Sequence, residues 1–91
     1  MARYTKDPDA VLDYVFEWGS WLNGDEIESS SWVADTGIVI STDPAPSIDG
    51  TRTIVWLSGG AASRSYAVTN RIITAAGRQD ERTIVIDVRN R

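Results

Sequence analysis

Residues 52–91 read RTIVWLSGGAASRSYAVTNRIITAAGRQDERTIVIDVRNR. Three runs in this stretch, at 52–58, 65–74 and 82–89, are rich in β-branched and aromatic residues and are separated by a Gly-bearing corner and a polar loop. The second and third runs alternate in polarity, and a period of two is typical of half-buried strands in an antiparallel sheet. The alternation predicts an inner face made of Tyr66, Val68, Ile72, Ile84, Ile86 and Val88.

The segment from Ala10 to Leu22 fits two structures. Asp7 as an N-cap followed by Pro8 at the first helical position would start a helix well. As a strand, residues 12–18 alternate large apolar side chains with others, and four matches in seven residues favour this interpretation. It predicts Leu12, Tyr14, Phe16 and Trp18 on one face, and it places Asp13 and Glu17 outward.

The rest of the chain reads as short extended segments between turn signals. Two prolines exclude a central strand around residues 42–46, although a brief seventh strand fits at 46–48. We therefore predict a single domain over residues 1–91, a small immunoglobulin-like antiparallel β-sandwich of six to seven strands. The other expected elements are an extended N-terminal arm, a short turn, two strands and a polar loop, at residues 1–10, 21–24, 26–34, 37–41 and 75–81 respectively.

Composition narrows the possible chemistry. The chain has no Cys and no His, which removes disulfides, thiolate sites, the commonest metal ligand and the commonest general base. The acidic residues lack calcium-loop spacing, and the serines lack a triad partner. We expect no enzyme activity, no metal and no cofactor. Apolar runs are too short to span a membrane, and the acidity of the chain disfavours nucleic acid, so neither is expected as a partner.

Charge is divided unequally along the chain. Residues 1–50 carry two basic residues against ten carboxylates, a net charge of −8. Residues 51–91 carry seven arginines against three carboxylates, a net charge of +4. The two halves either pair within one fold or attract neighbouring molecules. Arg78 and Arg82 flank the loop before the last strand, so they are candidates for a positive interface, against the simpler alternative that they pair with Asp80 and Glu81.

The four tryptophans are the other functional signal. They could form a sugar-stacking platform, but core and interface positions are the commoner use of Trp. Residues 53–57 are apolar on both faces, which indicates that the outer face of this strand is covered by another molecule. Trp56 is therefore the candidate apolar anchor, and Trp21 is a further candidate interface residue. Tyr66 follows the Gly-bearing corner and fits either a tyrosine corner or an ordinary half-buried position.

Two pieces of the sequence carry a family resemblance. The pieces Trp-Leu-Ser-Gly-Gly at 56–60 and Tyr-x-Val-Thr-Asn at 66–70, with Asp7-Pro8 and the spacing of Trp18, Trp21 and Trp32, resemble short virion proteins of tailed bacteriophages, of the phage fiber-tail adaptor type. The similarity spans nearly the whole chain. It implies an immunoglobulin-like sandwich, no catalysis and a place in the virion.

The resemblance implies a structural role. We expect a non-enzymatic adaptor, connector or accessory subunit, assembled in the host cytoplasm, that binds in multiple copies to other phage structural proteins, to copies of itself, or to both. The alternative is a carbohydrate-binding or adhesive module that uses surface Trp residues.

Overall fold

The computed structural model describes residues 2–90, which form eight strands and one short helix. Met1 of the expected arm and Arg91 of the basic set lie outside the described residues. The elements are β1 (Ala2–Lys6), β2 (Leu12–Glu17), α1 (Gly19–Leu22), β3 (Ile27–Ala34), β4 (Ile38–Ile40), β5 (Ser47–Asp49), β6 (Arg52–Gly59), β7 (Arg64–Thr74) and β8 (Gln79–Val88).

The strands form two packed sheets. One has the order β1-β8-β7-β3, and the other has the order β2-β6-β4, with β5 also pairing with β6. The groups β3-β7-β8 and β2-β6-β4 match the two sheets of an immunoglobulin-type sandwich. The predicted β-sandwich is confirmed, and the possible seventh strand is present as β5. One pairing departs from the antiparallel expectation, because β1 runs parallel to β8.

The core lies between the inner faces of the two sheets. All six residues of the predicted inner face are buried, the most exposed being Tyr66 at 7%. The opposite sheet contributes alternate residues of β2 and β6, so the period of two in the sequence matches burial in both layers. The main contributors from that sheet and from α1 are Tyr14, Phe16, Val55, Leu57, Trp18 and Leu22.

Residues 12–17 form a strand, and the helical alternative is wrong. The segment pairs antiparallel with β6 from Leu12 opposite Leu57 to Glu17 opposite Arg52. Asp13 and Glu17 point outward, as expected from the alternation. Pairing along β6 buries Tyr14 and Phe16 in the core, which outweighs the local helix-start signal. The expected turn at 21–24 is present, but it begins earlier as the single helical turn of α1.

The N-terminal segment is extended, but it is an edge strand rather than a projecting arm. Lys6 is fully buried, and its Nζ donates to the carbonyl oxygens of Asp7 and Gly59, both at 2.8 Å. Burial lowers the pKa of the Lys6 ammonium from its usual value. The two carbonyls compensate part of the cost of burying this cation, and the bond to Gly59 attaches β1 to the end of β6.

The hairpin of the last two strands is longer than predicted. The residues expected in the polar loop at 79–81 belong to β8, where Gln79, Asp80 and Glu81 pair with Ile73, Ile72 and Arg71. All three are exposed, although Ile72, the partner of Asp80, is fully buried. An exposed strand has no polarity alternation to reveal it.

Tyr66 forms a tyrosine corner. Its hydroxyl accepts a hydrogen bond from the backbone N–H of Ala61, five residues upstream, at 2.8 Å. Gly60 lies in the left-handed region at φ 91°, and a Cβ there would approach Val88 to 2.7 Å. The corner therefore requires glycine for both conformation and space, which explains the Gly-Gly pair that follows Ser58.

A buried polar network joins the two sheets. Asn70 is fully buried, and its Oδ1 accepts from the Thr53 hydroxyl at 2.7 Å and from Trp18 Nε1 at 3.1 Å. Its Nδ2 donates to Ser30 Oγ at 2.8 Å and to the Ser31 carbonyl at 3.0 Å. One amide thus links β7 to β3 in its own sheet and to β6 in the other.

Candidate protein-interaction surface

Arg78 joins the β7–β8 hairpin to the end of α1. Its Nε donates to Asp25 Oδ2 at 3.1 Å, and Nη2 donates to the Leu22 carbonyl at 2.7 Å. Its guanidinium lies over the Trp21 ring, 4.2 Å from the centroid. A cation at the C-terminal end of a helical turn satisfies carbonyls that have no partner within the helix. Arg78 is therefore a structural clamp on residues 21–25.

Asp25 is the carboxylate at the centre of this clamp. Its pKa is lowered to about 2, first by the hydrogen bond from the Thr74 hydroxyl, and further by the Glu26 N–H, the Arg78 guanidinium and the Ala76 N–H. These donors favour the charged form. The carboxylate connects the loop after α1 to the turn of the last hairpin.

Arg82 makes a second stack next to the first. Its guanidinium lies over the Trp18 ring at 4.0 Å from the centroid, and Nη1 donates to the Glu17 carbonyl at 2.6 Å. The Trp18 and Trp21 rings meet edge to face at 5.5 Å. The four side chains Arg78, Trp21, Trp18 and Arg82 thus form one continuous Arg–Trp stack.

Three of the four predicted interface residues therefore share one place, and Trp56 lies elsewhere. Trp21, Arg78 and Arg82 belong to the Arg–Trp stack, whereas Trp56 lies on the outer face of β6. The simpler alternative named the wrong partners for the arginines. Within residues 2–90, Arg78 pairs with Asp25, and Glu81 pairs with Arg71 at 3.5 Å. An interface role for the two arginines stays a prediction.

The outer face of the β2-β6-β4 sheet carries exposed apolar side chains. Val15 and Val39 are 44% and 54% exposed, and Ile54 and Trp56 lie half-buried between them on β6. We name these four residues the apolar face. The outer face of the other sheet is mostly polar, with Thr69, Thr83 and the Arg71–Glu81 pair. Residues 53–57 are therefore apolar on both faces because one face of β6 packs in the core and the other belongs to the apolar face.

Two acidic residues of β2 lie beside the apolar face. Asp13 lies opposite Trp56 in the β2–β6 ladder, and Glu17 lies opposite Arg52. Glu17 pairs weakly with Arg52 at 3.7 Å, whereas Asp13 has no cation within 4 Å in the described chain. Several ion pairs do join the two halves of the sequence within the fold, at Arg3–Asp87, Arg52–Glu17 and Arg78–Asp25.

The tryptophans do not form a single platform. Trp18 is fully buried, and Trp21 is covered on one side by Arg78. Trp32 packs edge to face against Phe16 at 5.0 Å between the sheets. Trp56 alone of the four lies on the apolar face.

Sequence reasoning missed Lys6, Asn70 and Thr74 as buried polar residues. Asn70 and Thr74 could have been found, because they continue the same alternation as Tyr66, Val68 and Ile72. Lys6 carries no such signal, since its acceptor Gly59 is distant in sequence. In the part of the chain that the structure describes, no cluster of acidic side chains could hold a metal ion. The described chain likewise has no helix that is long and apolar enough to cross a membrane.

Comparison with known proteins identifies the family of this chain. No curated protein matches the sequence. The family model described as podophage GP4 fiber-tail adaptor protein gp77 matches residues 6–87, from the buried lysine at the end of β1 to the penultimate residue of β8. Because the match covers both sheets, the corner after β6 and the Arg–Trp stack, the chain belongs to the podophage fiber-tail adaptor family.

Proposed function

We propose that this protein is a non-enzymatic virion subunit that binds other fiber and tail proteins in several copies, after assembly in the host cytoplasm, with the apolar face as its main contact surface. Family membership supports the structural role. The exposure of the apolar face is the observation that supports its assignment as the contact surface. An outward sheet face with Val15 and Val39 about half exposed beside Trp56 is typical of a surface that another protein covers.

Trp56 is the proposed anchor of this contact. Large aromatic side chains near the centre of an interface contribute most to binding energy. Trp56 lies on the central strand of its sheet, between β2 and β4, so it would lie near the centre of an interface with a partner that covers the face. Asp13, directly opposite Trp56, gives the contact an acidic rim.

The charges favour a head-to-tail contact over a symmetric one. Two copies that meet through their apolar faces would bring their Asp13 carboxylates together, which is unfavourable. Arg64 and Arg89 are exposed near one end of the other sheet, and neither makes an ion pair within residues 2–90. A neighbour that presents such arginines to the acidic rim would form a heterologous contact, which closes into a ring if the rotation allows.

The test compares two outward apolar side chains. Trp56→Ser should leave the isolated chain folded, with a melting temperature lowered by the lost packing, but should reduce incorporation into particles in a phage complementation assay. Val33→Ser is the matched control, because Val33 is 71% exposed on the other sheet. Normal incorporation of the Trp56 variant would overturn the proposal. The carbohydrate-binding alternative has weaker support, since the half-buried Trp21, Trp32 and Trp56 do not share one platform, and a reproducible glycan-array signal that Trp56→Ser abolishes would favour it.

A further inference from the structure

The outer edge of β2 is unpaired. β2 bonds to β6 on one side and ends its sheet on the other. The Trp18 N–H donates to the Thr51 carbonyl on the β6 side at 2.9 Å. Backbone groups alternate in direction along a strand, so those of Asp13, Val15 and Glu17 face away from β6. Three residues of β2 therefore present donors and acceptors at a free edge.

A hydrogen bond from Arg82 is independent evidence that these backbone groups face away from β6. Arg82 Nη1 reaches the Glu17 carbonyl from the other sheet at 2.6 Å, which is possible only if that carbonyl faces the open side. Arg82 occupies this one acceptor. The backbone groups of Asp13 and Val15 have no comparable side-chain partner in the described residues.

An open groove of about 560 Å³ lies beside this edge. The nearly buried Phe16 and Ile84 line it, together with Ala2, Tyr4 and Val15, and Arg82 also lines it. β1 pairs with β8 and not with β2, and Tyr4 of β1 packs edge to face against Tyr14 of β2 with ring centroids 5.3 Å apart. In immunoglobulin constant-type domains the first strand lies beside the second in the same sheet. In this protein that position is open.

The other wall of the groove is also a free strand edge. The Lys6 carbonyl accepts from the Arg89 N–H at 2.9 Å, on the β8 side of β1. The same alternation directs the backbone groups of Arg3 and Thr5 away from β8. An extended segment in the groove would thus meet unpaired backbone groups, whereas a compact ligand would leave them without partners.

Charge at the β2 edge selects the occupant. Asp13 and Glu17 flank Val15 on the outer face of the strand, and Asp13 is the carboxylate available to a partner, because Glu17 already has Arg52 at 3.7 Å. If two copies paired edge to edge and antiparallel about Val15, Asp13 would lie opposite Glu17, and like charges in that position are destabilising. A strand with basic residues opposite these carboxylates, and with apolar residues toward Phe16 and Ile84, would be complementary.

From the open edge, the groove and the flanking carboxylates, we propose that β2 accepts an extended segment of another protein as an added strand, and that this segment alternates apolar and basic residues. The mode is β-strand addition, in which backbone bonds give affinity and alternate side chains give specificity. This contact adjoins the apolar face and shares Val15 and Asp13 with it, but its hydrogen bonds are to the backbone edge of β2, and Trp56 takes no part in it. Each can therefore fail without the other.

The first experiment uses two synthetic peptides of about eight residues, the length of a typical strand. One alternates Val and Arg, and the control alternates Val and Glu. Amide spectra and hydrogen exchange are recorded on the ¹⁵N-labelled full chain. The Val–Arg peptide should shift the amides of Asp13, Val15 and Glu17 and slow their exchange by about tenfold or more. Absence of protection at these amides, or equal binding of both peptides, would overturn the proposal.

Four variants separate the edge from its surroundings. Val15→Pro removes the edge donor and should abolish peptide binding, whereas Val15→Ala keeps the donor and should retain it; proline is tolerated on a free strand edge. Trp56→Ser should bind the peptide as the wild type does. Asp13→Lys should weaken the Val–Arg peptide by about two- to fivefold, the range of one cross-strand charge pair. Because Asp13→Lys keeps the backbone intact, an unchanged peptide preference in it would contradict the charge selection even if Val15→Pro does not fold.

Discussion

Trp18 and Asn70 meet between the two sheets, where the indole Nε1 donates to the amide Oδ1 at 3.1 Å. Both side chains are fully buried, and they are 52 residues apart in the sequence. The contact fixes the position of Trp18, on which Arg82 stacks. The core and the Arg–Trp stack are thus connected through one amide.

Asn70→Ala should destabilise the fold by at least about 2 kcal/mol, because the Trp18 and Thr53 donors lose their shared acceptor, and a buried group left unpaired costs about 1–3 kcal/mol. Urea unfolding gives the change in free energy. Asn90→Ala, at an exposed position, is the matched control and should stay within about 0.5 kcal/mol of wild type. An Asn70 variant as stable as this control would show that the network contributes nothing.

Lys6→Met should lower the free energy of unfolding by about 1–3 kcal/mol, because the carbonyls of Asp7 and Gly59 lose a buried donor. Thermal and urea unfolding would measure it, with exposed Arg89→Met as the control. The opposite outcome is informative, since replacing a buried charge with an apolar side chain of similar size is sometimes stabilising. A more stable variant would mean that the cost of burying the ammonium exceeds its two bonds.

Asp25 should make stability fall at acid pH. Its pKa of about 2 lies below the usual 3.8, so the charged form is favoured in the folded state. The contribution is fully present above about pH 4 and is lost as the pH falls toward 2. The difference in unfolding free energy between wild type and Asp25→Asn should therefore be constant from pH 5 to 7 and shrink below about pH 4. A difference that does not change with pH would contradict the assigned pKa.

Ile86→Ala should cost about 2–5 kcal/mol, through lost transfer free energy and the cavity that remains. Ile86 is fully buried, and its neighbour Val85 points to the outer face of the same strand. Val85→Ala is therefore the matched control, and it should cost clearly less. Equal losses at the two positions, measured by urea unfolding, would contradict the assigned inner face.

Reversing the charge of Arg78 and Arg82 should destabilise the monomer as well as affect assembly. Arg78→Glu would place a carboxylate beside Asp25 and the carbonyls of α1, and Arg82→Glu would remove the stack on Trp18. A lower melting temperature of the isolated chain is the expected result. If the double variant is as stable as wild type but fails to assemble, the predicted interface role of the arginines gains support.

Local pattern was enough to determine the main strands of this protein. A strand with one face in the core must alternate, so Tyr66 to Ile72 and Ile84 to Val88 were readable without knowing their partners. The same pattern chose a strand over a helix at residues 12–17, and the doubly apolar run at 53–57 indicated an outward apolar face.

Only the tertiary structure decided which distant residues meet. From the sequence alone, Lys6 is expected to be a surface cation, but in the fold the Gly59 carbonyl is its buried acceptor. Arg78 and Arg82 are likewise expected to be free loop charges, but in the fold they stack on Trp21 and Trp18. The parallel pairing of β1 with β8, and the open edge of β2 that results from it, likewise depend on contacts between the two ends of the chain. Side-chain alternation records which face of a strand is buried, but it carries no information on which strand lies beside it.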